Sequence, residues 1–391
     1  MTFHDGQRTI TVARQLAQGG EGTINTIAQD PTLVFKRYTQ PTSETAAKLA
    51  AMLATPPPTT AIAWPQRLVT DHHGQFAGYL MPHARGGLPA GALYNPVSRC
   101  TTTTEFDWRY LVCAATNYAA TVATLHERAY VVGDVSQNNL LLHRDGKITI
   151  IDADSIQVPR PGHGYYRCTV GTSEYTPPEL AGVDLATIDR TAHHDAFGIA
   201  VLIFQLLMDG THPYAAKYTG IGEPPTLLDK IQRGLWPYQH SSLLQPPPNA
   251  PPLTILAPAL QTLCRQCFVL GHSHAAQRPT ARDWHHALTR LGQQLTACRY
   301  NGRHWYSNHL TVCPWCERAA RLGIDTFGTT RTPRPQPTRQ QLAYLPTPHQ
   351  PGKYLMLTPH AHAFDPNLSL DEIVIFRQEL EAFGRQRGWL P

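Results

Sequence analysis

The stretch GDVSQNNLLL, Gly133–Leu142, and the ITIIDADS that follows it, Ile148–Ser155, decide how this chain reads. Asp134 lies five positions before Asn139, and Asp152 lies thirteen after it. Two acids and an amide at these intervals offer hard oxygen ligands to a magnesium ion and an oxygen base or orienter to an attacking hydroxyl, the groups that phosphoryl transfer needs. Either interval alone also arises from a polar turn or a helix cap, so the surroundings must carry the rest.

Working outward, the first eighty residues alternate β-branched runs with turns: TITVARQL, GTINTIA, TLVFKRY, RLVT and FAGYLM. SETAAKLAAMLA, with Thr42 or Ser43 as cap, supplies one helix between the third and fourth runs before the stop at TPPP. Gly19, Gly20 and Gly22 fall between the first two runs, where a glycine hairpin lets backbone approach phosphates; glycines there also simply make a turn. Lys36 lies in the third run, and Glu44, near the helix start, is the only glutamate between Arg37 and Thr104. Past the central motif the pattern turns helical to about Leu295, and the longest apolar run, Ala196–Met208, suits a buried helix and is too short to span a bilayer.

These ordered motifs resemble the protein kinase superfamily over roughly residues 8 to 292. The fold implied is α+β and bilobal, protein-kinase-like, with a five-stranded antiparallel N-lobe carrying one helix, a helical C-lobe and a small C-terminal Cys/His zinc-binding appendage. The resemblance implies that Asp134 orients the substrate hydroxyl and takes its proton, and that Asn139 and Asp152 hold Mg²⁺ or Mn²⁺. It also implies that the glycine loop and Lys36 bind ATP, with Glu44 as the lysine's partner. In VGTSEYTPPEL, Thr172 stands where serine/threonine kinases carry a threonine in the substrate segment. Glu179 pairs in that family with the residue at Arg278, and Asp195 braces the catalytic loop.

The departures are as definite as the matches. Val132 and Gly133 stand where His-Arg usually precedes the catalytic aspartate, so activation by loop phosphorylation is less expected. Ser136 replaces the loop lysine, and Ala153 and Asp154 replace Phe-Gly after the metal aspartate. A nucleotide-binding pseudokinase or a zinc-containing scaffold is therefore the alternative to a serine/threonine kinase. The GDVSQNN loop, DADS and the C-terminal CPWC look like bacterial kinases found with von Willebrand A-domain and PP2C-like phosphatase partners, which makes those proteins expected partners beside a protein substrate.

In ACRYNGRHWYSNHLTVCPWCER, Cys298, His304, Cys313 and Cys316 offer four donors for structural zinc; His309 is an alternative to His304, and a metal-free reduced patch is the competing reading. Cys264 and Cys267 also have C-x-x-C spacing but sit in an apolar helical context, which favours core packing. Thirty-three basic against 28 acidic residues give a net charge of +5, too little to announce nucleic acid, although the arginine-rich segment after Cys298 leaves such a partner open. The cysteine pattern is no secretory disulfide framework, and MTFHDGQRTI has no export signal, so a reducing cytoplasm is expected and no membrane partner. The expected organisation is an N-lobe at 1–84, a C-lobe at 85–295, the Cys/His patch at 296–328, a Pro/Thr/Arg linker at 329–350 and a tail with an amphipathic helix at 351–391.

Overall fold

The computed structural model describes residues 2–102, 106–160, 162, 164–239 and 243–328, together with three short strands further on. The expected tail helix lies outside the described residues. Of the expected linker, Ala343–Pro346 is a strand, paired antiparallel with Tyr354–Thr358, which in turn pairs with Ala361–Ala363. AYLP, within the expected linker, and YLMLT, within the expected tail, are β-favouring runs between proline-rich flanks.

The N-terminal sheet has seven strands, β1 (Phe3–His4), β2 (Thr9–Ile10), β3 (Val12–Gln18), β4 (Gly22–Ile27), β5 (Leu33–Tyr38), β6 (Arg67–Asp71) and β7 (Phe76–Pro82). They run in the order β2-β1-β6-β7-β5-β4-β3, with antiparallel neighbours throughout. Five of these were expected. The extra pair arises because the first run breaks at Thr11, its start pairing with Phe3–His4. Alternation along β5 places Leu33 and Phe35 in a core with Phe3, Ile10 and Leu80 on one face, and Val34 and Tyr38 in the main core on the other. Lys36, between Val34 and Tyr38, shares their face.

That second face is covered by α1 (Ser43–Ala54), whose Thr42 hydroxyl caps the Thr45 amide at 3.0 Å and whose Leu49 and Met52 are buried. Beyond the sheet come β8 (Leu88–Pro89), α2 (Ala90–Tyr94), α3 (Pro96–Thr102) and the long α4 (Trp108–His126), capped by Asp107. The hairpin β9 (Leu140–Leu142) and β10 (Ile148–Ile150) follows, and then a second hairpin, β11 (Val158–Arg160) and β12 (Gly164–Tyr166). The centre of this helical half is α5 (Ala192–Leu207), buried from Asp195 to Leu207. Gly198 has a packing reason: a Cβ there would stand 2.8 Å from the Tyr175 carbonyl oxygen.

The Cys/His region folds as a hairpin, Leu295–Ala297 with Trp305–Ser307, and a helix, Pro314–Leu322. It docks on the helical half through Trp315 against Trp108, with ring centroids 5.5 Å apart, and through a buried cluster in which Asp209 takes Arg99 at 2.9 Å and Arg318 at 3.2 Å. Cys264 and Cys267 are fully buried in the main core, as their apolar context implied. No helix among the described residues is long and apolar enough to cross a membrane.

Candidate active site

Lys36 is 6% exposed and is the meeting point of three acids. Its ammonium donates to Asp152 Oδ1 at 2.7 Å and stands 2.7 Å from Asp154 Oδ2 and 3.3 Å from Glu21 Oε2. Burial works against the charge on Lys36, but Asp154 and Asp152 overcome it and hold its pKa above the ordinary lysine value. Asp154 is buried and accepts from Tyr38 Oη and, at 2.7 Å, from Tyr79 Oη. Burial would raise the Asp154 carboxyl, yet Lys36 and the two hydroxyls keep it below the usual carboxylate range. Asp152 goes the other way: burial first, and the neighbouring Asp154 charge, push its pKa up against the pull of Lys36.

The backbone explains how Asp152 reaches this position. It follows β10 in a left-handed conformation, φ 60°, and starts the short 3₁₀ turn Ala153–Ser155 that carries Asp154 inward. Ile151, just before it, donates its amide to the Asn139 carbonyl at 3.0 Å, which ties the turn at Asp152 to the loop that carries Asp134. On that loop the Asn139 amide donates to Asp134 Oδ2 at 3.1 Å, and the Thr172 hydroxyl donates to Asp134 Oδ1 at 2.9 Å. Asp134, Asn139 and Thr172 thus form one hydrogen-bonded group. Asp195, 2% exposed, accepts from the Val132 and Gly133 amides at 2.6 and 2.8 Å and from His126, holding the loop from beneath. Glu179 and Arg278 form a two-pronged pair at 2.6 and 2.7 Å.

One expectation needs correction. Glu44 is not among the partners of Lys36; it is exposed in the first turn of α1, where an acid complements the helix dipole. One turn further on, the same helix presents Lys48, whose pKa is lowered by burial and which donates to the Arg167 carbonyl at 3.5 Å, so α1 turns a cation toward the cleft. Gly22, expected as a phosphate contact, also has a packing reason. A Cβ there would sit 2.0 Å from the Arg37 carbonyl oxygen, so the glycine serves the close pairing of β4 with β5. The turn itself is closed by the Gly19 amide on the Gly22 carbonyl at 2.9 Å, which leaves Gly20 and Glu21 at the mouth of a cleft of about 860 Å³ with Lys48, Asp154 and Arg160.

Sequence reasoning missed Glu21, Tyr38, Tyr79 and the role of Asp154. The available signal was the second acid of Asp152-Ala153-Asp154, which on the kinase pattern stands merely in place of a glycine. It also missed Cys168 and Arg190, whose Sγ and Nη1 would stand 2.6 and 3.1 Å from a Cβ on Gly133, filling the space beside the glycine that replaces the loop arginine.

In the Cys/His region, Cys298, His304, Cys313 and Cys316 bring their donor atoms within 4.8 Å of one another. Cys298 Sγ is 3.6 Å from Cys316 Sγ, and His304 Nδ1 is 3.3 Å from Cys316 Sγ and 3.6 Å from Cys313 Sγ. A tetrahedron with Zn–S bonds of about 2.3 Å has edges of roughly 3.8 Å, so the donors fit that ion. His304 Nε2 is 2.8 Å from Asp325 Oδ1, the outer support that metal-binding histidines use. His309 instead contacts Ser307 and the Thr254 carbonyl, away from the thiols. Burial opposes ionisation of Cys298, but the Tyr300 and Asn301 amides bring its pKa down to about 7.

The curled antiparallel sheet followed by a helical half is consistent with a protein-kinase-like fold. No family model matches the chain. It is similar to "Protein kinase YegI" of Escherichia coli O157:H7, with 37% identity over 315 residues, 78% of this chain and 48% of that protein, and to the same-named protein of strain K12, with 37% identity over 314 residues. It is also similar to "Serine/threonine-protein kinase akt-2" of Caenorhabditis elegans, 30% identical over 142 residues, 36% of this chain and 25% of that one. The chain spans about half the length of the curated YegI relatives it matches.

Proposed function

We propose that this chain is an ATP-dependent protein kinase that transfers the γ-phosphate to serine or threonine of a protein substrate. The observation that carries the reading is the junction of two groups: Lys36 on Asp152, and Asp134 bonded to both Asn139 and Thr172, joined through the Ile151–Asn139 backbone contact. Lys36 binds the α- and β-phosphates. Asp134 aligns the incoming hydroxyl and accepts its proton, and the Thr172 hydroxyl on its other oxygen fixes its orientation. Asn139 and Asp152 would hold Mg²⁺ or Mn²⁺; the Asp152 side chain is 37% exposed, which leaves its carboxylate open to an ion. When bound, the ion neutralises phosphate charge and sets its geometry.

The test is transfer from labelled ATP with Mg²⁺ to the chain itself or to a protein acceptor, followed by identification of the labelled residue. Phosphoserine or phosphothreonine formed by wild type and lost in Asp134→Asn supports the reading. Nucleotide binding without transfer would instead support the pseudokinase alternative.

Cys298, His304, Cys313 and Cys316 bind a structural zinc ion in this reading, with Asp325 behind His304. Metal analysis should return one zinc per chain, and its absence from protein purified without chelator would remove the claim. The von Willebrand A-domain protein and the PP2C-like phosphatase remain proposed partners, testable by co-purification with the wild-type chain. Cytoplasmic location is proposed on the same footing.

A further inference from the structure

The acid that positions Lys36 is supplied from the turn after the metal aspartate. We infer that Asp154, held by Tyr38 and Tyr79, is the positioning residue for Lys36, in the place that the resemblance assigned to a carboxylate on α1. The inference rests on the kinase reading for its consequence, and on geometry alone for the pairing.

Three observations carry it. First, both oxygens of Asp154 are committed to the lysine and the two phenols. Oδ1 takes Lys36 at 2.8 Å and Tyr79 at 2.7 Å, and Oδ2 takes Tyr38 and lies 2.7 Å from Lys36. The Asp154 side chain is 4% exposed, so it is a fixed internal anchor, unlike Glu21, whose side chain is 61% exposed. Second, the two phenols come from β5 and β7, adjacent strands on the sheet that carries Lys36, so anchor and lysine are set by one rigid element. Third, α1 sets no acid against Lys36: Glu44 lines the cleft but is exposed and is not among the ion-pair partners of the lysine, and Lys48, one turn further on, is a cation.

The consequence is a change in what controls the lysine. An acid on a helix couples Lys36 to the position of that helix. Here Asp152 and Asp154 are separated only by Ala153, in a single 3₁₀ turn, so the lysine and the metal acid are oriented by the same turn. Movement of α1 leaves the Lys36 pair intact, whereas any rearrangement of Asp152–Ser155 breaks the lysine and metal sites together. The second acid of the D-x-D sequence is therefore part of the machinery.

The test reads Lys36 directly. Wild type, Asp154→Asn and Glu44→Gln are treated with an amine-acylating reagent at one fixed pH, and the time course of Lys36 modification is followed by peptide mass spectrometry, with Mg·ATP binding and transfer kinetics measured in parallel. Asp154 holds the Lys36 ammonium through both of its oxygens, so releasing that anchor in Asp154→Asn should make Lys36 acylate several-fold faster than in wild type. Glu44→Gln should leave the Lys36 labelling profile where it was. Transfer by Asp154→Asn should fall roughly 10²-fold in kcat, the size of loss that follows small misplacement of a reacting group, with a smaller change in nucleotide affinity.

Should Asp154→Asn fail to fold because Lys36 is left buried and unpaired, the double variant Lys36→Met/Asp154→Asn carries the test. It should melt above Lys36→Met alone, while Lys36→Met/Glu44→Gln should not. An unchanged Lys36 profile in Asp154→Asn, an equal shift in Glu44→Gln, or strictly additive melting shifts would overturn the inference. Absence of transfer in wild type would remove the kinase reading instead, and the labelling and melting results would still decide the pairing.

Discussion

Two acid–cation contacts in this molecule are both buried on the cation side and both join residues about a hundred positions apart, yet they are built for opposite ends. Glu179 and Arg278 are balanced, one charge against one, with two parallel hydrogen bonds and further support for the guanidinium from the Gly271 and His193 carbonyls. Lys36 faces Asp152, Asp154 and Glu21, three acids against one cation. The balanced pair clamps the loop before α5 to the end of the helical half. The unbalanced cluster keeps excess negative charge beside Lys36, which favours a cation and adds to burial, the larger cause, in raising the Asp152 pKa. Mutation should separate the two, costing function in the cleft and stability at the clamp.

The largest expected effect is at the cleft. Asp152→Ala removes the proposed metal acid while relieving charge crowding beside Asp154, so folding should survive and transfer from ATP should fall by roughly 10²–10³-fold or more. Measured together, an unchanged thermal midpoint and lost transfer would sharpen the distinction. A large drop in midpoint would erase it.

Next is the clamp. Glu179→Ala strands a guanidinium whose side chain is fully buried, and breaking such a pair from one side costs about 3–5 kcal/mol. Denaturant unfolding should show that loss, while transfer per folded molecule should change far less than in Asp152→Ala. A variant that keeps its stability but loses transfer would place Glu179 with the cleft residues. Smaller again is Thr172→Ala, which deletes the 2.9 Å hydrogen bond to Asp134. A hydrogen bond to a charged group is worth about 1.5–3 kcal/mol, so kcat should fall roughly tenfold to a hundredfold with little change in the melting temperature.

The same two contacts show what the sequence could and could not reveal. The Glu179–Arg278 pair was legible because both partners stand in motifs, PPEL and QRPTARDW, that the resemblance reads together. The expected Lys36–Glu44 pair fails for a physical reason: motif matching supplied a lysine and looked for its acid on α1, whereas the acid had moved to a different element. Only the fold brings Asp154 to Lys36, 118 residues away. Tyr38 and Tyr79 looked like ordinary strand aromatics, since period-2 alternation says which face they share and nothing about what their hydroxyls reach. The Cys/His donors were easier, being confined to nineteen residues with a CPWC knuckle; choosing His304 over His309 took the hairpin that turns one ring toward the thiols. The strands themselves were largely visible, and the extra pair at β1 and β2 was missed because two-residue strands carry almost no pattern.

The most delicate way to break the comparison is with pH. Burial alone would raise the Glu179 carboxyl, but the hydrogen bonds and charge of Arg278 hold it below the ordinary value of 4.5. A carboxylate with a depressed folded pKa stabilises fully above its unfolded pKa, and that contribution disappears as the pH falls through the lower folded value. Glu179→Gln should therefore differ most from wild type at neutral pH, and the gap in unfolding free energy should narrow only below about pH 4.5. His194, 4.0 Å from Glu179, adds a separate component: burial depresses its pKa below 6.5, so its neutral form favours folding above that pH and its contribution fades on the way down to its folded value. The two windows differ, and His194→Gln should flatten the upper one alone. Asp152 should show the reverse sign: its raised folded pKa makes its ionised form a small cost, so Asp152→Asn should gain stability relative to wild type as the pH climbs through that value. Opposite slopes for Glu179→Gln and Asp152→Asn would establish that one acid is placed to hold the fold and the other is held by it. Parallel slopes would mean that the cleft cluster is a second clamp, with its charge imbalance already relieved in solution.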